Sequence, residues 1–266
     1  ADGWPVYIMN CKDGSLMTLI PETSFILGSN DDEPNESPAH CVTVGKFYID
    51  VYEVNNAQFA RFARKLCFKK DDRCLADELL SSETPRCFCA RNWPVATDPC
   101  LKSRDCKFLN CAELDFNYFK EYWTPCVNDN HPARAVSFWE AWYYCRWVGK
   151  DLPTEAEWEL AAKGPKGSRL YPWGNVEPDA QHRYCNYDGP NPKADGFEYT
   201  APVSAFASGR SPFGVYNMAG NVWEWCKDRY DHNEYAVTEF ARGNPRRLKG
   251  EIIREFNDPS GTTFAD

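Results

Sequence analysis

The distribution of cysteines constrains this 266-residue chain more than any other feature of its sequence. Eight of the thirteen cysteines fall between residues 67 and 126. This segment has one CxC pair, Cys87 and Cys89, but it has no CxxC pair and no nearby histidine doublet, so the usual spacing of a zinc site is missing. Disulfides explain such a cluster better than zinc, and they predict an oxidising compartment: secreted, periplasmic or cell-surface. The odd count leaves one cysteine free or paired outside this sequence.

The cysteine-rich segment also lacks the sustained apolar periodicity that is found on either side of it. We therefore predict one domain over residues 1–266, with residues 67–126 as an insertion held together by disulfides rather than by a core. Before the insertion, "SLMTLIPETSFILGSN" and "HCVTVGKFYIDVYEV" predict strands, and "NNAQFARFARKL" predicts an amphipathic helix behind an Asn cap. After it, two helices are expected, each with a capping box and a glycine end: Ser137, Glu140 and Gly149; Thr154, Glu157 and Gly164.

Charge and hydropathy exclude several classes of partner. A net charge of −9 gives little positive field to attract phosphates, so nucleic acid and anionic membranes are not expected partners. No apolar run approaches the roughly 18–20 residues that would cross a bilayer, so we expect no transmembrane segment.

Common catalytic motifs are missing from the sequence. The four histidines are far apart, and neither a GxSxG elbow, a P-loop nor a GxGxxG motif occurs. These absences remove support from hydrolase, nucleotide-binding and histidine-metal interpretations.

Two carboxylates in Gly- and Asn-containing loops are candidate ligands. Glu224 lies between two tryptophans in "YNMAGNVWEWC", and Asp195 lies in a loop rich in Gly, Pro and Asn. A carboxylate among large apolar groups is costly to desolvate unless it is paired, protonated or bound to a cation. Calcium accepts carboxylate, amide and carbonyl oxygens, which these loops contain. From the residues alone, calcium and a carboxylate satisfied by N–H groups or a basic side chain remain alternatives.

Longer motifs add a family resemblance. The stretches "HPARAVSFWEAWYYCRWVGKDLPTEAEWELAAKG", "YPWGN", "TAPVSAF" and "GVYNMAGNVWEWCKD", with residues 15–66, closely resemble the formylglycine-generating enzyme, or sulfatase-modifying factor, family. The resemblance implies an α+β domain, a variant of the C-type lectin fold with little regular secondary structure, commonly stabilised by calcium.

The resemblance also implies which residues bind calcium. One site would use Asn186, Asp195 and the carbonyls of Tyr187 and Phe197. A second would use Asn217, Glu224 and the carbonyls of Gly220 and Val222. Glu53 matches a further family glutamate near calcium.

The catalytic part of the family pattern does not match. Active members oxidise a substrate cysteine with molecular oxygen, using copper(I) held by two cysteines downstream of the GNVWEW motif. Here "RRLKG" is followed directly by Glu251, and no cysteine occurs after Cys226. Either the chain diverges from the active members, or residues after Gly250 and after Asp266 are omitted. Cys145 matches a family cysteine whose disulfide partner lies in the closing strand, so an omitted segment would make the cysteine count even.

These observations predict a secreted, calcium-stabilised, non-catalytic domain that binds a protein or peptide, or that serves as a subunit of an extracellular assembly. The alternative is a copper-dependent formylglycine-generating oxidase whose cysteine pair lies in an omitted segment. A third class, the ergothioneine-type sulfoxide synthases, needs a multi-histidine iron site that this chain lacks. We expect no catalytic residue within the sequence as written, and copper only with the omitted pair.

Overall fold

A computed structural model describes most of the chain on both sides of the cysteine-rich segment. The described residues are 3–31, 34–67, 122, 124, 126–165, 169–178, 183–188 and 195–230. The predicted insertion at 67–126 therefore lies almost entirely outside the described residues, as do its predicted disulfides.

The first fifty residues form two small antiparallel sheets. The strands are β1 (Tyr7–Met9), β2 (Leu16–Ile20), β3 (Thr23–Leu27), β4 (His40–Val44) and β5 (Phe47–Asp50). One sheet has the order β1-β2-β5, and the other pairs β3 with β4. In the second sheet, Phe25 lies opposite Val42, and both residues are buried. The period-2 alternation of apolar residues in β3 and β4 thus produces one buried face.

Three helices are described: α1 (Asn56–Cys67), α2 (Phe138–Val148) and α3 (Glu155–Lys163). Both predicted capping boxes are confirmed: Ser137 caps α2 with Glu140, and Thr154 caps α3 with Glu157. Helix α1 begins behind a similar exchange, in which the Asn55 and Gln58 side chains bond each other's backbone N–H groups. These local bonds satisfy N–H groups that have no partner within a helix, and they fix where each helix begins.

Two apolar clusters hold these elements together. In one, Ile20, Phe25 and Val42 of the sheets pack with Leu160 of α3. In the other, Phe59 and Phe62 of α1 pack with Tyr144 and Val148 of α2. Burial of complete aliphatic and aromatic side chains contributes about 1.5–3 kcal/mol each, so these clusters supply much of the stability of the described fold. Mixed helix and strand content confirms the α+β class.

A buried ion-pair network joins the first sheet to α2. Lys150, just beyond α2, donates to both carboxylate oxygens of Asp50 at 2.7 Å and to Asp13 at 3.2 Å. The Tyr144 hydroxyl and the Ser15 hydroxyl also donate to Asp13, each at 2.8 Å. The Asp13 side chain is completely buried, and the Lys150 side chain is 10% exposed. Charges this deep need their partners, because isolated ions in a protein interior are strongly unfavourable.

Six cysteines whose side chains the structure describes carry free thiols: Cys11, Cys41, Cys126, Cys145, Cys185 and Cys226. The disulfide between Cys145 and a closing strand therefore stays a prediction. Within the described part of the chain, no helix is both long enough and apolar enough to span a bilayer.

Candidate functional site

The candidate site is built around the loop at residues 215–226, whose backbone takes up the left-handed conformation three times. The φ angles are 52° at Asn217, 82° at Gly220 and 67° at Asn221. Asn and Gly adopt this conformation at lower cost than other residues, because the Asn side chain can form local hydrogen bonds and Gly has no Cβ. The resulting turns aim the side chains of both asparagines at Glu53.

Glu53 lies shortly after β5 and accepts hydrogen bonds from both asparagine amides. Asn217 Nδ2 donates to Glu53 Oε2 at 2.7 Å, while Asn221 Nδ2 donates to Oε1 at 3.1 Å and to Oε2 at 2.9 Å. Burial raises the pKa of Glu53 well above its ordinary value, and the neighbouring Glu224 carboxylate raises it further. The amide donors lower it only in part. A carboxylate whose charge is disfavoured both by burial and by a second carboxylate is an arrangement that a cation would relieve.

Glu224 is held in place by a tryptophan of α3. Trp158 Nε1 donates to Glu224 Oε2 at 2.8 Å. Residue 224 has an exposed surface overall, yet its carboxylate is crowded by protein atoms, and this burial raises its pKa from 4.5 to about 7. The Trp158 hydrogen bond opposes that shift, whereas Asp50 adds to it. Glu224 therefore has a hydrogen-bond donor, Trp158, in addition to its two flanking tryptophans, and this bond fixes the position of its carboxylate.

The Asn217 side chain contains the least satisfied polar atom of the site. Its Nδ2 donates to Glu53 and, at 3.2 Å, to the carbonyl of Val203. Its Oδ1 is buried and has no hydrogen-bond partner among the described residues. A buried oxygen without a partner costs about 1–3 kcal/mol. A cation in contact with this oxygen would remove the penalty, so the residues present fit a bound metal ion.

A second group of candidate ligands is assembled around Asp195. Asp195 Oδ1 accepts the N–H of Phe197 at 2.9 Å, and Oδ2 accepts the N–H of Tyr187 at 3.2 Å. Asn186 and Asp195 are both buried. These bonds join Tyr187, Asp195 and Phe197, and Asn186 directly precedes Tyr187 in the chain. They also show the backbone N–H satisfaction that the sequence left open as an alternative. A carboxylate has about four lone-pair positions, so its N–H bonds leave capacity for a cation.

The donor atoms of both groups are oxygens. Among the described residues, no three His, Cys, Asp or Glu side chains converge into a metal cluster. Any cation here would therefore depend on amide and carbonyl oxygens together with one or two carboxylates. Hard ions such as calcium prefer that ligand set, whereas zinc and copper prefer nitrogen and sulfur.

Two residues of the site were not predicted from the sequence. Trp158 was assigned only to a helix, and Asn221 was seen only as part of a turn. The Gly220-Asn221 pair is a turn signal, which predicts a left-handed backbone but not the partners of the amide. Those partners are 20 to 168 residues away along the chain.

Residues 8–261 match the family of the sulfatase-modifying factor enzyme 1-like domain. The formylglycine-generating enzyme of Mus musculus is 36% identical over 250 residues, covering 89% of this chain and 64% of that protein. The chain thus spans less than two thirds of this curated relative. The enzyme of Thermomonospora curvata is also 36% identical, covering 86% of this chain and 77% of that protein.

The relatives also include a protein named as inactive. The "Inactive C-alpha-formylglycine-generating enzyme 2" of Bos taurus is 32% identical, covering 80% of this chain and 71% of that protein. Among solved structures, PvdO from Pseudomonas aeruginosa has a TM-score of 0.56 at 24% identity, covering 87% of this chain and 77% of that one. At that identity the likeness bears on the fold alone. The match over nearly the whole chain shows that this protein belongs to the sulfatase-modifying factor, or formylglycine-generating enzyme, family.

Proposed function

We propose that this chain is a calcium-stabilised, non-catalytic domain that binds a protein or peptide partner in an extracellular setting. The observation that carries the calcium part is the buried Asn217 Oδ1, which lacks a hydrogen-bond partner and belongs to the same side chain that bonds Glu53. The site that includes this atom, called the Glu224 site, comprises Glu53, Asn217, Glu224 and the carbonyls of Gly220 and Val222. The Asp195 site comprises Asn186, Asp195 and the carbonyls of Tyr187 and Phe197.

Each residue of the Glu224 site has a separate task. Glu53 and Glu224 supply negative charge, Asn217 supplies a neutral amide oxygen, and Trp158 fixes the orientation of Glu224. When bound, calcium supplies positive charge that stabilises the ionised forms of Glu53 and Glu224. Bound calcium would then stabilise the conformation of the loop at 215–226, which has little regular secondary structure.

Two features support an extracellular partner-binding role. The high cysteine content is typical of proteins from oxidising compartments, and weak calcium sites are common in extracellular modules. Trp223 and Tyr230, close to the Glu224 site in sequence, are large exposed aromatic side chains. Exposed aromatic residues are frequent binding anchors in protein interfaces.

Calcium is expected to raise the melting temperature of the wild-type chain. At a concentration of about 100 times Kd, binding to the folded state alone adds about 2.7 kcal/mol, or on the order of 5–10 °C for a protein of this size. Differential scanning calorimetry with calcium and in calcium-depleted buffer measures this shift. Glu224→Gln should remove the part of the shift that the Glu224 site contributes, about half, and leave the part from the Asp195 site, while Glu177→Gln, at an exposed glutamate outside both sites, should retain the full shift. An unchanged melting temperature in the wild type would rule out the calcium proposal.

The calcium effect should also depend on pH. Because the pKa of Glu224 is raised to about 7 in the fold, its contribution to stability without calcium is complete below its unfolded pKa of about 4.5 and is lost as the pH rises to about 7. Calcium binds the ionised carboxylate, so the calcium-induced gain in melting temperature should grow from about pH 5 to about pH 7.5. A gain that stays constant over this range would contradict a role for Glu224.

The second candidate function is the copper-dependent formylglycine-generating oxidase. It is favoured by identity, because the chain is 36% identical to the named enzyme of Mus musculus and 32% identical to the named inactive relative of Bos taurus. This oxidase requires a cysteine pair in a segment omitted from the sequence, so the test uses protein expressed with any residues omitted after Gly250 and after Asp266. Incubating that protein, loaded with copper, with a cysteine peptide from a sulfatase under oxygen distinguishes the two functions. Mass spectrometry that detects conversion of the thiol to an aldehyde would establish the oxidase; an unmodified peptide supports the non-catalytic role.

A further inference from the structure

Asn221 connects the two groups of candidate ligands, although neither site includes its side chain. We propose that Asn221 is a positioning residue that couples the Asp195 site to the Glu224 site, so that each calcium ion strengthens the binding of the other. The inference rests on the proposed calcium function and deepens it.

On one side, Asn221 holds the acid of the Glu224 site. Its Nδ2 donates to Glu53 Oε1 at 3.1 Å, to Glu53 Oε2 at 2.9 Å and, at 3.3 Å, to the carbonyl of Ala201. In the chain, Asn221 also stands between Gly220 and Val222, the two residues whose carbonyls are expected ligands. A shift of Asn221 therefore moves both the carboxylate and the backbone of this site.

On the other side, Asn221 bonds a ligand of the Asp195 site twice. The backbone N–H of Asn221 donates to the carbonyl of Asn186 at 2.8 Å, and its Oδ1 accepts from Asn186 Nδ2 at 3.4 Å. The Oδ1 also accepts the N–H of Ala201 at 2.8 Å. Asn186 is buried, so these polar groups have few alternatives in water.

The amide of Asn221 has a single orientation that satisfies all of these partners. Its oxygen must face the N–H of Ala201, and its nitrogen must face the carbonyl of Ala201 and the ionised carboxylate of Glu53, because these two groups can only accept. Reversing the amide would place oxygen against oxygen at Glu53. The side chain therefore transmits a change at Asn186 to Glu53 in a defined direction, rather than serving as loose packing.

Coupling follows from the energy needed to order this chain of contacts. Calcium at the Asp195 site fixes Asn186, which fixes the Asn221 amide and orders Glu53 before the second ion arrives. Binding of the second ion then has a smaller entropic cost, because its ligands are already ordered. The effect is reciprocal. Coupling between sites of this kind typically changes affinity by 5- to 150-fold, and we expect about fivefold here.

A double-mutant cycle on the full chain tests the coupling by calcium titration calorimetry. Asp195→Asn removes the charge of the first site, and we expect it to weaken calcium binding at the intact Glu224 site about fivefold. In an Asn221→Gly background, the same substitution should change that affinity less than about twofold. Glycine removes the amide without strain, since the φ of 67° at Asn221 is accessible to it.

A second variant keeps the test decisive if Asn221→Gly does not fold. Asn221→Asp has nearly the same shape and retains the acceptor toward Ala201, but it replaces the donor toward Glu53 with an acceptor; it should also lose the coupling. Two calcium ions that bind wild-type protein independently, or full coupling retained in both Asn221 variants, would overturn the inference while leaving the calcium function intact. No calcium binding by the wild type would overturn both.

Discussion

Lys150→Met is expected to destabilise the fold by about 3–5 kcal/mol at pH 7, because it leaves the buried carboxylate of Asp13 and the partly exposed carboxylate of Asp50 without their cation. Lys150 bonds Asp13 and Asp50 at 3.2 Å and 2.7 Å, and the Asp13 side chain is completely buried. Methionine keeps most of the volume of lysine, so the change reports chiefly on charge. Urea unfolding at pH 7 measures the loss.

The loss should become smaller as the pH falls. Burial alone would raise the pKa of Asp13, but Lys150 and the donors Ser15 and Tyr144 offset this effect and bring it below 3.8. A lowered pKa means that Asp13 stabilises the wild type above its unfolded pKa and that this contribution is lost as the pH falls through the folded pKa. In Lys150→Met the carboxylates protonate more readily, so wild type and variant should converge toward about pH 4.

Lys163→Met is the matched control for this experiment. Lys163 bonds Glu159 at 2.9 Å within α3, but its side chain is 26% exposed and the pair is a single i,i+4 contact. Such pairs contribute about 0.3–0.5 kcal/mol. Equal losses in the two variants would show that the network of Lys150 has no special role.

Gly220→Ala is expected to cost about 3 kcal/mol, which lowers the melting temperature by roughly 6–12 °C. A Cβ at Gly220 would collide with the carbonyl oxygen of Asn186, and the φ of 82° is itself unfavourable for alanine. The clash pushes apart the two candidate sites where Asn221 bonds Asn186. Thermal unfolding of the purified variant measures the cost.

Gly14→Ala separates the backbone strain from the clash. Gly14 has a similar φ of 74°, but a Cβ there would meet no atom within 4 Å. This variant should lose only about 1 kcal/mol, the usual cost of a non-glycine residue in the left-handed conformation. A Gly14→Ala loss as large as that of Gly220→Ala would contradict the close approach of the two loops.

Features that depend on residues close together in the chain, such as the helix starts, could be predicted from the sequence. The capping boxes at Ser137 and Thr154 depend on residues three positions apart, so their helices could be placed closely. The grouping of Asn217 with Glu224 came from the family resemblance, which placed Glu53 near calcium without assigning it to either site. The structure places Asn217 against Glu53.

Two other features could not be predicted because they depend on long-range packing. Lys150 is 100 residues from Asp50 and 137 from Asp13, and its position after a helix indicates only a favourable charge near the helix end. The bonds from Asn221 to Asn186 and Glu53 likewise arise only when distant loops meet. An Asn-containing turn favours a left-handed backbone but gives no information on these partners.

The central claim is that Asn217 and Glu224 bind calcium, and a crystal structure of the calcium-loaded chain tests it most directly. The account predicts a cation about 2.3–2.6 Å from Asn217 Oδ1 and from a Glu224 carboxylate oxygen. Density for a water molecule or a protein donor at Asn217 Oδ1, with no cation near Glu224 at millimolar calcium, would contradict it.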